Sequence, residues 1–477
     1  MNFTGRAADL ALLYSQLRLV AEGRASSTGR AIVVTGRRRV GKSRLVQEFC
    51  DRCDLPYVIF QATRGRNPAA ERADFTATVA QSTLPGGELI AGTRPADWNH
   101  ALRTLTAAVP GDGPSIAVID EVPWLVEQDG EFEGALQTVW DRQLSAKPVL
   151  LLLVGSDLSV METLTTYGRP FFGRAAKMVV RPLHLGDVAA MTQLGAADAI
   201  DALLITGGFP EIVQSWAPGT GRADFLRESV SNPLSPLLAA GELTVLGEFP
   251  GATLTRAVLE AVGEGERTFA AIAAEAGGGT PLASGTLVPI IKTLLAKGVV
   301  EVDLPLSAKS DTRNKRYRIA DPYLRYWLAL ISGAIPLIER GRSDLAFARI
   351  ERDWLSWRGR AVEPIIRESL LRRLPDAGWP HTGAVGGWWN RQNNPEIDLV
   401  GADRGPVASQ VHFAGSIKWF DTKLFTQHDY DRLARDVTVI PGANPDTPLV
   451  AVSRTGFAAG LPLASQWAPA DLLSAWH

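Results

Sequence analysis

The sequence predicts an α/β protein whose first half is built on a parallel β-sheet. Three apolar runs, Ile32–Val34, Ser115–Ile119 and Pro148–Val154, have the length of strands and consist mainly of Val, Ile, Leu and Ala. Such runs are typical of parallel strands, because helices cover both faces of the sheet. Segments with helical periodicity, such as Ala8–Val20 and Arg44–Phe49, alternate with these strands.

The composition is that of a globular protein with several domains. The chain has 477 residues, of which 46% are hydrophobic and 21% charged, and a formal net charge of −2. At about 150 residues per domain, this length predicts roughly three domains. The near-neutral charge excludes a global field that would attract nucleic acid or anionic lipid, so any such contact requires a local patch.

Neither the cysteines nor the apolar runs suggest a metal site or a membrane protein. Cys50 and Cys53 form a C-x-x-C pair, but no second Cys or His pair lies nearby, which favours two packed thiols over a redox or zinc half-site. The N-terminus has no basic stretch followed by an apolar core. The longest apolar run, Val149–Val154, is far shorter than the ~18 residues that span a bilayer. We therefore expect a cytoplasmic protein without membrane contact.

A phosphate-binding loop follows the first strand. Eight consecutive residues match the pattern G-x-x-x-x-G-K-[ST]: Gly36, Arg37, Arg38, Arg39, Val40, Gly41, Lys42 and Ser43. In such a loop the backbone N–H groups surround a β-phosphate, and the helix that begins at Lys42 adds its N-terminal partial positive charge. Lys42 would reach the β- and γ-phosphates, and the Ser43 hydroxyl would bind Mg²⁺. The segment from Gly36 to Arg44 thus predicts an ATP·Mg²⁺ site.

Two adjacent acids end the second apolar run. Asp120 and Glu121 follow Ser115–Ile119, and ligands bind at the carboxyl ends of strands in open α/β sheets. Asp120 would orient Mg²⁺, and Glu121 would polarise the attacking water. This pair predicts that the bound nucleotide is hydrolysed.

The third apolar run and the segment after it contain further candidates for contact with the γ-phosphate. Pro148–Val154 is followed by Ser156 and Asp157, either of which could contact that phosphate. Arg169 and Arg174 lie between glycine-bounded turns and are candidate arginine fingers for a neighbouring γ-phosphate, with a purely structural role left equally open. A further strand is predicted at residues 177–183.

Six motifs in this part of the chain resemble, in the same order, the archaeal-type ATPase family, a branch of P-loop ATPases related to AAA proteins. They read FTGR, GRRRVGKS, VIDEVPWL, VGSDLSVME, TYGRPFFGR and TGGFPEI. The resemblance covers roughly the first 230 residues. It implies a P-loop ATPase module with a helical subdomain over residues 1–240. A protein partner or self-assembly is a separate expectation.

Residues 241–330 have the pattern of a winged helix-turn-helix. Three helices are predicted, followed by a pair of strands: Thr253–Val262, Thr268–Glu275, Ser284–Leu295, Lys297–Val302 and Lys315–Ile319. Four basic residues would form the tip of the wing and contact DNA phosphates: Lys309, Arg313, Lys315 and Arg316. The third helix has few side chains that read bases, so a wing that packs on protein remains an alternative.

The C-terminal part resembles a nuclease that has lost a ligand. Asp321–Trp327, with the sequence DPYLRYW, resembles the family's junction into a restriction-endonuclease-like PD-(D/E)XK domain, here residues 331–477. The matching site positions are Glu363, Asp398 and Lys418. Ser416 occupies the position of the second carboxylate, although Glu396 is a possible substitute. Because hard cations need carboxylate oxygens, we expect a degenerate site without nuclease activity, retained for binding or docking.

The sequence as a whole predicts an α/β protein with a P-loop parallel-sheet ATPase core, a helical subdomain, a winged helix-turn-helix and a restriction-endonuclease-like C-terminal domain. Its predicted function is Mg²⁺-dependent ATP hydrolysis coupled to nucleic-acid transactions. The alternative is a nucleotide-gated switch or scaffold that docks a protein partner.

Overall fold

The structure is a computed structural model that describes residues 3–23, 29–248, 253–265, 268–375 and 378–477. It contains two compact units, Met1–Pro182 and Leu183–His477. The helices and strands of the first unit are α1 Ala7–Glu22, β1 Arg30–Thr35, α2 Lys42–Arg52, β2 Tyr57–Gln61, α3 Pro68–Ala80, α4 Trp98–Ala108, β3 Ser115–Asp120, α5 Val122–Gln128, α6 Phe132–Arg142, β4 Val149–Gly155, α7 Leu158–Leu164 and β5 Ala175–Val179.

The first unit is built on the parallel sheet that the apolar runs predict. Its strands are arranged in the order β2-β3-β4-β1-β5 and all neighbouring pairs are parallel. Strands β3 and β4 are buried along their whole length, as continuous apolar runs require. Strand β4 lies between β1 and β3, so the residues that follow these three strands meet at one edge of the sheet.

Two predicted elements of this unit differ from the structure. The last strand was expected at residues 177–183 but spans Ala175–Val179; after Val180 donates to the Thr35 carbonyl oxygen, Pro182 has no N–H with which to extend the ladder. The composition of Glu88–Val109 also predicts a largely helical region, where the structure has a short 3₁₀ turn at Gly87–Ile90 and the separate helix α4. Asp97 begins α4 by accepting a hydrogen bond from the His100 N–H.

The second unit continues with α8 Leu185–Thr192, α9 Ala196–Thr206, α10 Pro210–Gln214, α11 Arg222–Ser231, α12 Pro236–Glu248, α13 Thr253–Glu264, α14 Phe269–Ala276, α15 Ser284–Ala296, β6 Val300–Asp303, β7 Arg316–Ile319, α16 Pro322–Tyr326, α17 Ile335–Glu339, α18 Ser343–Ala361, α19 Glu363–Arg373, β8 Ala384–Trp389, β9 Glu396–Ala402, β10 Val411–Lys418, α20 Gln427–Asp436, β11 Leu449–Ser453, β12 Ser465–Trp467 and α21 Pro469–Ser474. One π-helical turn, Trp327–Ile331, follows α16 directly.

Two sheets form in the second unit. Strands β6 and β7 pair antiparallel as a hairpin after the helices α13, α14 and α15, which agrees with the predicted elements of this region. The larger sheet has the order β12-β11-β10-β9-β8. In it β8, β9 and β10 are antiparallel neighbours, whereas β11 and β12 extend the sheet in parallel. Helix α20 connects the two parts.

A buried ion pair helps to hold the second unit together. Arg358 on α18 donates to Asp201 on α9 over 2.8 Å, and their side chains are 1% and 4% exposed. Asp201 also accepts from the Trp419 indole N–H at 3.1 Å, just after β10. Removal of one partner from such a pair leaves an uncompensated buried charge, which costs about 3–5 kcal/mol. This network therefore couples the helices α9 and α18 to the larger sheet.

No single helix in the described ranges is both long and apolar enough to cross a membrane. By length and composition alone, α8 and α9 would pass the same test together, but as a pair bent by 106°.

Candidate nucleotide-binding site

The loop between β1 and α2 has a backbone that depends on glycine. A Cβ atom on Gly36 would lie 2.3 Å from the Val180 carbonyl oxygen, so the loop can leave β1 along this path only without a side chain there. Gly41 has φ 87° and caps the N-terminus of α2. The loop therefore directs the free N–H groups of the first turn of α2 toward the space above the sheet, where an anion would be stabilised.

Lys42, the first residue of α2, is buried and turned back toward the loop. Its Nζ donates to the carbonyl oxygens of Gly36 at 2.9 Å and Arg37 at 3.0 Å. Burial lowers the pKa of Lys42 to about 8, although the carboxylates of Glu121 and Asp120 oppose that shift. The ammonium group is thus poorly compensated, and a phosphate group would supply the missing negative charge.

Arg6 braces the same loop and was not identified as a site residue from the sequence. Its guanidinium donates to the carbonyl oxygens of Val40 and Arg181, and it forms an ion pair with Asp9 at 3.1 Å. The residue is 7% exposed and has φ 65°, directly after Gly5. Arg6 belongs to the FTGR motif, but its contact with Val40 depends on the folded loop.

The two predicted acids lie at the carboxyl end of β3. Asp120 is buried, and its Oδ1 accepts a hydrogen bond from the Glu121 N–H at 2.8 Å. Glu121 is held at φ 55° before α5. Burial raises the pKa of Glu121, and the neighbouring Asp120 raises it further, while Lys42 partly offsets both effects. A carboxylate with a raised pKa is a better proton acceptor near neutral pH.

Ser156 and Asp157, which the sequence left as alternatives, occupy different environments. The Ser156 hydroxyl donates to Glu121, at 3.2 Å from Oε2 and 3.4 Å from Oε1. Asp157 instead caps α7, where its Oδ1 accepts from the N–H groups of Ser159 at 3.0 Å and Val160 at 3.1 Å. Because β4 lies beside β3, the residue directly after β4, Ser156, reaches the carboxylate of Glu121, while the carboxylate of Asp157 caps α7.

These elements enclose a cavity of about 310 Å³. Its lining consists of the loop, the acid and the residue after β4: Arg38, Arg39, Gly41, Lys42, Ser43, Arg44, Glu121, Trp124 and Ser156. Trp124 was not predicted and is the one aromatic ring in this lining. Three residues near this cavity have positive φ although they are not glycine, namely Arg6, Arg39 and Glu121. Strained backbone of this kind tends to cluster at functional sites.

The side-chain oxygens of Ser43 and Asp120 fit a Mg²⁺ ion that also binds the phosphates of a nucleotide. Ser43 is exposed and lines the cavity. Asp120 is the last residue of β3, which lies two strands away from β1 in the sheet. Within the described ranges, no three His, Cys, Asp or Glu side chains converge on a site that would hold a metal by themselves. Mg²⁺ usually binds through one or two protein oxygens plus phosphates and water, which is compatible with this set.

The two candidate arginine fingers are engaged in ion pairs within the first unit. Arg169 pairs with Glu133, and Arg174 binds Asp141 through Nε and Nη2, both at 2.7 Å. Neither arginine lines the cavity described above. A role toward a neighbouring γ-phosphate would require these pairs to exchange, and it stays a prediction.

Two of the candidate nuclease-like residues, Glu363 and Asp398, lie close together in the second unit, and Arg367 donates hydrogen bonds to both. Arg367 Nη2 donates to Glu363 Oε2 at 2.8 Å and to the Asp398 carbonyl oxygen at 2.8 Å. Asp398 Oδ2 accepts from the Ser416 hydroxyl at 2.9 Å and from the Ile417 N–H at 2.8 Å. Burial raises the pKa of Asp398. Protein donors therefore already occupy Glu363 Oε2 and Asp398 Oδ2.

Lys418 and the backbone around Arg367 agree with this closed arrangement. Lys418 lies 3.5 Å from Asp429. A Cβ atom on Gly387 would lie 2.6 Å from Arg367 Nη2, so the strand β8 leaves room for the guanidinium by having no side chain there. The residues present do not fit a divalent cation, because both carboxylates hold other donors and Ser416 supplies no charge.

The predicted basic tip of the wing is wrong at Arg316. This residue is 6% exposed, forms an ion pair with Glu396, donates to Asn393 Oδ1 at 2.6 Å and stacks 4.0 Å from the centroid of the Trp389 ring. Lys309, Arg313 and Lys315 are exposed. The sequence could not reveal that a partner some 80 positions later would bury this arginine.

The loop between β6 and β7 packs along the larger sheet. The Leu306 N–H donates to the Gly387 carbonyl oxygen at 2.8 Å, and the Ala308 N–H donates to the Pro441 carbonyl oxygen at 2.8 Å. The Trp389 indole N–H donates to the Asn314 carbonyl oxygen at 2.7 Å. The loop between β6 and β7 thus packs on the larger sheet, while the side chains of Lys309, Arg313 and Lys315 are exposed.

The chain matches a protein family over part of its length and is similar to other known proteins at low sequence identity. Residues 327–430 match a family described as archaeal and bacterial proteins of unknown function, DUF234. The uncharacterized protein MJECL04 of Methanocaldococcus jannaschii is 24% identical over 436 residues, which cover 88% of this chain and 89% of that protein.

Among solved structures, two archaeal proteins resemble the chain at low identity. The Walker-type ATPase PABY2304 of Pyrococcus abyssi is 17% identical with a TM-score of 0.46, covering 69% of this chain and 98% of that chain. The ORC2 protein of Aeropyrum pernix, solved in ADPNP and ADP complexes, is 13% identical with a TM-score of 0.41, covering 72% and 96%. The fold of the first unit follows from its own strand order and phosphate loop.

Proposed function

We propose that this chain binds ATP·Mg²⁺ at the loop Gly36–Ser43 and hydrolyses it. The observation that carries this proposal is the convergence of Lys42, Glu121 and Ser156, which follow the neighbouring strands β1, β3 and β4 in the chain and line one cavity. A loop that binds phosphate for structural reasons alone would not need a half-buried carboxylate with a raised pKa beside it. The pairing of cation and base supports hydrolysis rather than binding alone.

The chain's own residues account for each requirement of the reaction. Lys42 neutralises charge on the β- and γ-phosphates, and the N–H groups of the loop hold the β-phosphate. Ser43 and Asp120 would hold Mg²⁺, which supplies Lewis-acid stabilisation of the phosphate oxygens when it is bound. Glu121 accepts the proton of the attacking water, and the Ser156 hydroxyl keeps its carboxylate in place. Arg6 fixes the shape of the loop through the Val40 carbonyl oxygen.

We infer that ATP hydrolysis drives an action on nucleic acid, which the chain contacts through a winged helix in residues 241–330. Three helices followed by an antiparallel hairpin support that assignment. Lys309, Arg313 and Lys315 remain as exposed cations at the tip. The second candidate is a nucleotide-gated switch that docks a protein partner, which the packing of the β6–β7 loop onto the larger sheet favours.

Phosphate release by the intact protein, measured with and without duplex DNA, separates these two candidates. We expect DNA to raise the rate of phosphate release. In a separate binding titration, the logarithm of the DNA-binding constant plotted against log salt should have a slope of about −2.7, since each of three neutralised phosphates contributes about 0.9. Arg313→Ala combined with Lys315→Ala should lower the magnitude of the slope to about 0.9.

The matched control for the wing is Arg432→Ala with Arg435→Ala, which removes the same charge from the exposed side of α20. This pair should leave the slope unchanged. A protein that does not bind DNA at low salt, or whose turnover ignores DNA, would favour the switch.

For residues 331–477 we propose a nuclease-like domain that has no nuclease activity. The order α19, three antiparallel strands β8–β10, helix α20 and the parallel strand β11 supports a PD-(D/E)XK-like core. Arg367 supplies the positive charge that a divalent cation would otherwise bring to Glu363 and the Asp398 backbone. The domain would thus be stable without metal and serve in binding or docking.

We expect the unmodified protein neither to bind Mn²⁺ at this site nor to cut DNA. The combination Ser416→Glu with Arg367→Ala should create Mn²⁺ binding, because it adds a carboxylate and removes the competing guanidinium. Calorimetric titration with Mn²⁺ in the Lys42→Ala background isolates this site from the phosphate loop. Arg372→Ala, which removes an exposed arginine of the same helix paired with Glu368, is the control. Mn²⁺-dependent cleavage by the protein without these changes, lost on Asp398→Ala, would contradict the inactive assignment.

A further inference from the structure

ATP hydrolysis develops negative charge around the γ-phosphate, and an arginine often stabilises that charge. The arginine comes either from the same chain or from a neighbouring molecule. Arg169 and Arg174, the candidates that the sequence offers, are held in ion pairs and do not line the cavity of the phosphate loop. That lining contains other arginines of the same unit, namely Arg38, Arg39 and Arg44.

Arg38 is able to reach a ligand in this cavity without giving up a contact. It is exposed and, within the residues that the structure describes, forms no hydrogen bond or ion pair. Arg44, in contrast, pairs with Glu48 at 2.9 Å and would have to leave that partner. Arg37, the first arginine of the loop, is half-buried and does not line the cavity. Arg38 is therefore the arginine of the loop that can turn toward a phosphate most easily.

The charge of Arg38 already acts on two residues that would flank the γ-phosphate. Burial lowers the pKa of Lys42, and the positive charge of Arg38 lowers it further. Burial raises the pKa of Glu121, and Arg38 is among the positive charges that oppose this rise. Because such effects fall off with distance, Arg38 lies near both the cation and the base of the site. A phosphate between them would come within reach of its guanidinium.

The backbone on both sides of Arg38 is held in place. Lys42 Nζ donates to the Arg37 carbonyl oxygen, directly before it, at 3.0 Å. Arg6 donates to the Val40 carbonyl oxygen, two residues after it. A donor whose position is fixed in advance needs little reorganisation when charge develops on the substrate. The loop thus presents this arginine to the cavity from a defined position.

On the basis of the ATP site proposed above, we propose that Arg38 contacts the γ-phosphate of ATP bound to the same chain and stabilises the transition state of hydrolysis. Its guanidinium donates two parallel hydrogen bonds to oxygens of the transferring group, which an ammonium group cannot do. The water oxygen bonds to the γ-phosphorus, its proton goes to Glu121, and the bridging oxygen leaves with ADP. Arg38 takes part through charge and hydrogen bonds alone, so no neighbouring chain is needed for this step.

Single-turnover phosphate release by the full chain, at saturating ATP and Mg²⁺, tests this role. Arg38→Ala should lower the rate about a thousandfold, the lower end of what an arginine finger contributes. Arg38→Lys keeps the charge but not the paired donors, so it should recover only part of the rate. The control Arg52→Ala removes an exposed arginine of α2 that pairs with Glu48 and lies outside the cavity lining, and it should leave the rate unchanged.

The affinity for ADP with aluminium fluoride, which mimics the transferring phosphoryl group, distinguishes a catalytic role from a structural one. Transition-state analogues bind more tightly than ground-state ligands. Arg38→Ala should keep its affinity for ADP within a few-fold and lose the gain in affinity that aluminium fluoride gives the unmodified protein. If the variant lost affinity for ADP to the same extent as for ADP with aluminium fluoride, Arg38 would only shape the loop and the proposal would be wrong.

A mixture of two inactive variants tests whether the arginine acts within one chain. Arg38→Ala chains retain Glu121, and Glu121→Gln chains retain Arg38. A site completed by a single chain predicts no recovery of turnover on mixing. Recovery would assign Arg38 to the phosphate of a neighbouring chain and contradict the proposal.

The same measurements separate the role of Arg38 from the assignment of the ATP site. If the unmodified protein hydrolyses ATP and Arg38→Ala does so as fast as Arg52→Ala, the ATPase function stands and the role of Arg38 is refuted. An unmodified protein that does not hydrolyse ATP contradicts both.

Discussion

Glu121→Gln should abolish ATP turnover while ATP remains bound. The amide keeps the size of the side chain and an oxygen that accepts from the Ser156 hydroxyl, but it cannot take a proton from water. Loss of a general base lowers the rate by about 10²–10⁴-fold. Single-turnover phosphate release measures the chemical step, and retention of labelled ATP on a filter measures binding.

Glu127→Gln is the matched control, because Glu127 is an exposed acid on the helix that Glu121 begins. It should leave the rate unchanged. If Glu121→Gln turned over ATP within a few-fold of the unmodified protein, Glu121 would only end the strand and another base would be required.

Lys42→Ala is expected to lower ATP affinity by about a hundredfold or more and to eliminate turnover. The change removes the one ammonium group in the cavity lining, and hydrogen bonds from charged groups contribute about 1.5–3 kcal/mol each. Calorimetry with ATP and Mg²⁺ measures the affinity. Lys177→Ala, which removes an exposed lysine paired with Glu162, serves as the control.

The same substitution should not reduce stability through its charge. Burial lowers the pKa of Lys42 to about 8 from the ordinary lysine value, so the folded state binds that proton less tightly than the unfolded state. At neutral pH the charge therefore opposes folding, and its removal relieves this effect. An unchanged or higher Tm with lost ATP binding would separate a site defect from unfolding.

The parts of the site that are adjacent in sequence could be predicted, since short-range geometry fixes them. The loop Gly36–Ser43 needs only its glycines, the preceding strand and the following helix. Asp120 and Glu121 follow a run whose apolar character marks it as a central strand. The choice between Ser156 and Asp157 depended on side-chain contacts in the folded protein, because Ser156 contacts Glu121 whereas Asp157 caps α7.

Long-range ion pairs account for what the sequence could not reveal. Arg316 belongs to a group of basic residues that predicts an exposed tip of the hairpin. In the structure, however, Glu396, Asn393 and Trp389 bury its side chain. Arg367 lies one helical turn after Glu363, where it could have been a solvent-facing partner. Its second contact, with the Asp398 carbonyl oxygen, exists only in the folded sheet and could not be predicted from the helix alone.

Titration of the unmodified protein with ATP in the presence of Mg²⁺, followed by calorimetry at neutral pH, tests the central claim most directly. Binding at the loop Gly36–Ser43 predicts saturable heat that disappears in the Lys42→Ala variant while the Lys177→Ala control retains it. An absence of saturable binding at millimolar ATP, or binding that Lys42→Ala leaves intact, would contradict the assignment of the first unit as a nucleotide-binding module.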